Sequence, residues 1–144
     1  MQPLLANHSL KPSQADIHFA AAHFQEMLKI RKSSTLFRLR TADQVLQRMK
    51  FYNTGPWQIP SLLVMCIANP DLDLDPQFGM IAVLINASKT AKAFYETALR
   101  GLPFRLHPVQ AASYDPVVAS ASYDPSSGAF TIPARTTAVF VSPV

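Results

Sequence analysis

Three aspartates, Asp71, Asp73 and Asp75, alternate with leucine in "PDLDLDPQFG" and form the densest carboxylate run in the chain. Hard oxygen ligands at every second residue are how a calcium loop of the EF-hand type opens. That loop also needs glycine at its sixth position and a bidentate glutamate at its twelfth. Pro76 and Ala82 stand there instead, so a solvated loop is the better reading and no metal site is expected. The four histidines, His8, His18, His23 and His107, have no zinc spacing, and His18 and His23, five apart, fall on different faces of a helix. Cys66 lies inside "LLVMCIA" with no neighbouring cation to lower its pKa, and is read as a small buried hydrophobe. There is no G-x-S-x-G, and four scattered glycines make neither a dinucleotide fingerprint nor a phosphate loop. No catalytic, substrate-binding or metal-binding residue is therefore assigned, and no cofactor is expected.

One cationic stretch remains. The formal charge is +4, and the surplus is concentrated in residues 29–50, where Lys29, Arg31, Lys32, Arg38, Arg40, Arg48 and Lys50 face Asp43 alone. Nucleic-acid binding would want a cationic face with exposed aromatics. Here Phe37 sits with Leu36 and Leu39 in an apolar trio suited to burial, and the first cations fall where a helix ends, opposite its negative dipole end. No nucleic-acid partner is expected. A membrane partner is not expected either: the N-terminal residues 1–19 lack the charged start and apolar core of a secretory signal, and the longest apolar run, Leu62 to Ala68, is too short to cross a bilayer.

The elements that carry these residues divide into two parts. All four glycines and ten of the twelve prolines follow residue 54. The first part is helix-permissive and the second is cut into short pieces. Ser13 and Asp16 form a capping box, after which Ile17, Ala21, Phe24 and Leu28 give the three-four spacing of an amphipathic helix over residues 14–32. Thr41 and Gln44 form a second box, predicting a short helix with Ala42, Val45, Leu46 and Met49 on its apolar side. Then "SLLVMCIA", "GMIAVLINA", "FRLHPV", "GAFTIPA" and "TTAVFVS" read as strands, with Ser126, Ser127 and Gly128 closing a hairpin. The pattern predicts a mainly β fold: an antiparallel β-sandwich of about seven strands preceded by one long and one short α-helix. The repeat "ASYDP" at 112–116 and 121–125 is read as turn chemistry used twice.

The blocks "FQEMLKIRKSSTLFRLRTADQV", "FYNTGPWQIPSLLVMCI", "LHPVQAASYDPVV" and "FTIPARTTAVFV", in that order, resemble the C-terminal end of pullulanases and limit dextrinases, debranching enzymes of the α-amylase superfamily. The resemblance runs from about Pro3 to Val141 and departs from the usual pattern at Thr35, where proline is expected, and at Ser61, where glycine is. It implies that residues 1–50 are the helical run-out of a (β/α)8 barrel and residues 51–144 the closing β-sandwich domain. It also implies α-1,6-glucosidic hydrolysis with retention by the whole enzyme, through three carboxylates upstream of the matched part. A barrel takes about 250 residues, and a retaining pair of carboxylates stands about 5 Å apart. None of the nine acids here lies in a recognisable catalytic frame, so a non-catalytic, barrel-stabilising role is expected of this chain. Its expected partner is the catalytic barrel of a parent or separate debranching chain, with Leu36, Phe37 and Leu39 at the seam. A second reading is an α-glucan-binding sandwich, with Trp57, Tyr52, Tyr114 and Tyr123 as candidate platforms. A third is a free-standing interaction protein docking on a separate barrel chain. The resemblance leaves the compartment open, between plastid for plant-type and secreted or intracellular for bacterial relatives.

Overall fold

A computed structural model of the chain describes residues 6–144. Residues 1–5, where the absence of a secretory signal was partly read, lie outside the described residues. Helix α1 spans Gln14–Ser33 and opens on the expected box, in which the Ser13 Oγ accepts from the Asp16 N–H and the Ser13 N–H donates to Asp16. A 3-10 turn, Thr35–Arg38, follows, the Ser34 hydroxyl accepting from the Leu36 N–H. Helix α2, Ala42–Arg48, has Thr41 as its cap, but the reciprocal bond shifts by one residue: the Gln44 Oε1 accepts from the Arg40 N–H at 2.8 Å.

Eight strands follow rather than seven: β1 Met49–Tyr52, β2 Leu62–Ala68, β3 Phe78–Asn86, β4 Lys92–Tyr95, β5 Arg105–Leu106, β6 Ser122–Asp124, β7 Ala129–Ile132 and β8 Thr136–Pro143. They form a five-stranded antiparallel sheet, order β1-β2-β3-β8-β5, and a three-stranded one, β4-β7-β6. "FRLHPV" is strand only at Arg105–Leu106. At His107 the chain turns into a single helical turn, α3 (Pro108–Ala111), because proline lacks an N–H and is preset for a first helical position. Another single turn, α4 (Pro116–Ala119), begins the same way behind Asp115. The two "ASYDP" copies thus diverge: Asp115 caps a helix, while Asp124 accepts from Ser126 and Ser127 in the β6–β7 turn. In that turn Gly128 is required twice over. Its φ is +75°, and a Cβ there would stand 2.8 Å from the Glu96 carbonyl oxygen.

The larger sheet is buried on both faces, which is why β2, β3 and β8 read as continuous apolar runs rather than alternating ones. Its inner face, Leu62, Val64, Cys66, Ala82, Leu84, Ala138 and Phe140, meets Phe94, Phe130 and Ile132 of the smaller sheet. Phe130 is edge-on to both Phe104 and Phe140, with ring centroids 5.5 and 5.1 Å apart, a favoured aromatic geometry. The outer face, Ile67, Ile81, Val83, Val139 and Val141, is covered by Ile30 and Met27 of α1 and by Leu36, Phe37 and Leu39. The apolar trio therefore packs on the sheet, while Arg38 and Arg40 are exposed. Strand β1 runs across the division anticipated at residue 50. Ala42 and Leu46 depart from expectation and are exposed, while Val45 and Met49, the latter already the first residue of β1, are half-buried.

Candidate functional site

Among the described residues no group of three or more His, Cys, Asp and Glu side chains is placed to hold a metal ion. The aspartate run serves loop structure. Asp73 pairs with Arg48 at 2.9 Å, buried Asp75 accepts from the Gln77 N–H, and buried Asn69 holds the loop by donating to the Asp75 and Phe78 carbonyls. Cys66 is buried, and desolvation pushes its thiol up to about 12, with Glu96 adding to the effect. At neutral pH it is a thiol and a poor nucleophile.

Helix α1 has one fastened side and one open side. One side of it is anchored. Buried Glu26 accepts from the Ser113 hydroxyl at 2.6 Å and the Tyr114 N–H at 2.9 Å, fastening the helix to the first "ASYDP" copy. The Ser33 hydroxyl meets the His107 Nε2 at 3.0 Å, and Ile30 enters the outer core. The other side carries the predicted stripe outward: Ile17 is 56% exposed, Phe24 63% and Leu28 49%, with Ala21 exposed between them. Periodicity alone finds this stripe but does not say which way it faces. Beside Ile30 and Met27, the inward side carries a buried glutamate, Glu26, which no hydrophobic pattern could mark.

The four candidate aromatic platforms separate. Tyr123 is excluded: its ring packs against Phe104 and Phe130, and its hydroxyl donates to the Leu99 carbonyl at 2.5 Å. Tyr52 is half-buried with the Lys50 Nζ 4.5 Å from its ring centroid. Tyr114 is 75% exposed and lies against Phe19. Trp57 is 93% exposed. Tyr95, on a strand too short to stand out in the sequence, is 67% exposed and borders the same groove as Trp57.

Residues 1–143 match the family described as "Alpha-1,6-glucosidases, pullulanase-type, C-terminal". The chain belongs to this pullulanase-type C-terminal family. Among its relatives, "Pullulanase 1, chloroplastic" of Arabidopsis thaliana is 41% identical over 98% of this chain and 15% of its own length. The pullulanase of Klebsiella pneumoniae is 31% identical over 92% of this chain and 12% of its own. The crystal structure of the maltotriose complex of the K. pneumoniae enzyme superposes with a TM-score of 0.83 at 31% identity, covering 92% of this chain and 14% of that one. The pullulanase-type chain described here thus spans less than a sixth of the length of the curated relatives it matches. Those relatives are glycoside hydrolases of the debranching type, and the mainly antiparallel fold is the one their structures share.

Proposed function

We propose that this chain is the non-catalytic C-terminal module of a pullulanase-type debranching enzyme, and that it caps and stabilises the catalytic barrel, carried by its parent or by a separate chain. Residues 1–50 are the run-out of that barrel and residues 51–144 the closing sandwich. The observation that carries this reading is the outward stripe of α1. Ile17, Phe24 and Leu28 share one face of a helix whose opposite side is already fastened to the sandwich. Burying each such side chain contributes about 1.5–3 kcal/mol, so a complementary apolar surface would hold the module without any charged contact. Past the end of α1, Arg31, Phe37, Arg38, Leu39 and Val45 border a groove.

The test uses the Arabidopsis pullulanase expressed without the 15% that this chain matches. Mixed with this chain, it is expected to coelute with it in size-exclusion chromatography and to melt at a higher temperature. The double substitution Phe24→Asp, Leu28→Asp is expected to abolish coelution while leaving the melting of the chain alone unchanged or higher. Separate elution of the wild-type pair would overturn the capping role. Release of reducing sugar from pullulan by the pure chain would overturn the non-catalytic one.

A further inference from the structure

We propose that the groove between the free edges of the two sheets is an α-glucan-binding surface, with Trp57 and Tyr95 as its stacking platforms. Strands β1 and β4 are the end strands of their sheets, and a cleft of about 490 Å³ lies between them. Tryptophan is highly buried on average, yet the only tryptophan of the chain is the most exposed of its large apolar side chains among the described residues. The chain holds it there. Gly55, Pro56, Trp57 and Gln58 form a turn closed by the Gln58 N–H donating to the Gly55 carbonyl, with Pro56 presetting the backbone just before the indole. Behind the turn, Asn53 acts as a clamp. Its Nδ2 donates to the Ile59 and Leu62 carbonyls and its Oδ1 accepts from the Ile59 N–H. Asn53, Gly55 and Ser61 all have positive φ, so the loop is bent and pinned rather than slack.

A loop backbone already fixed by these bonds gives up little freedom on binding. Its open face suits a ligand that offers an apolar C–H face and a rim of hydroxyls, which is what a pyranose ring presents. The rim groups are at hand: Thr54, Gln58 and Glu96 border the groove, and the Glu96 carboxylate is steadied by accepting from the Ala98 N–H. The charges of Lys50 and Glu96 offset one another, and Lys50 is turned onto the Tyr52 ring. Neither an anion nor a purely apolar peptide is favoured by that lining. The choice of an α-linked glucan rests on the pullulanase-type reading above; the choice of a sugar rests on the groove.

The lone tryptophan makes the site its own reporter. Titration of the chain with maltotriose is expected to give a saturable shift in indole emission, and cellotriose a much smaller one. In native gels cast with pullulan the chain is expected to be retarded. Trp57→Ala is expected to abolish retardation, and Tyr95→Ala to weaken it about fivefold, whereas Tyr114→Ala leaves it intact. Both groove side chains are exposed, so circular-dichroism melts should match wild type. Unchanged emission with equal mobility overturns the proposal, as does retardation that survives Trp57→Ala. An equal response to cellotriose overturns the α-linkage. Coelution with the remainder of a pullulanase is read on the α1 substitutions, so either result can fail while the other stands.

Discussion

His107 caps α3 through its ring, the Nδ1 accepting from the Val109 N–H at 3.2 Å. That bond leaves the proton of the neutral ring on Nε2, facing the Ser33 hydroxyl, which donates onward to the Ile30 carbonyl. A second proton on Nδ1 would meet the Val109 N–H head-on. Burial lowers the pKa of His107 from 6.5. The unfolded chain therefore takes up a proton that the folded chain resists. The stability tied to His107 is complete above pH 6.5 and declines below it, down to the folded-state pKa. Asp16 and Asp124, held low by their serine partners, act only below their ordinary value of 3.8. The melting temperature is thus expected to fall between about pH 7 and about pH 5, and His107→Gln should flatten that slope. A slope unchanged by the substitution would assign it to another group. None of this was legible in the sequence, where "LHPV" passes for a strand. A histidine serving as a helix cap is visible only once Pro108 is known to begin a turn.

At the scale of elements, local chemistry was legible and mutual orientation was not. The caps at Ser13 and Thr41, the Ser126–Gly128 hairpin and the long strands β2, β3 and β8 are written in neighbouring residues. Strand β4, "KAFY", carries a single buried residue, Phe94, and too short an alternation to stand out. With β4 went Tyr95 and half of the aromatic groove. Helix α1 shows the same limit, since its stripe was plain but the side it faces depends on Glu26 finding partners 87 and 88 residues away. Glu26→Ala is expected to cost about 2 kcal/mol, because the Ser113 hydroxyl and Tyr114 N–H lose their acceptor in a buried setting. Urea denaturation checks this, and Glu26→Gln, which keeps one carbonyl oxygen, should recover part of the loss. A cost near zero would mean that the apolar contacts of Met27 and Ile30 suffice to dock the helix.

Taken whole, the molecule has two cores sharing one sheet, and β8 is an inner strand of that sheet, between β3 and β5. Its residues alternate between the cores: Ala138 and Phe140 belong to one, Val139 and Val141 to the other. Strands β2 and β3 also feed both cores, and β8 is the last of the described strands in chain order. A nascent chain halted before Thr136 has β3 with an open edge, β5 with nothing to pair to, and neither core complete. Pairing of β1, β2 and β3, and of β4, β7 and β6, does not need β8, but closure of both cores is expected only once residues 136–143 clear the ribosome. Ribosome-bound chains ending at residue 135 are expected to be digested by protease as readily as unfolded protein, and chains extended by a linker beyond 144 to resist it. In an enzyme whose C-terminal part is this module, a premature stop that trims only those last residues would cost the whole domain.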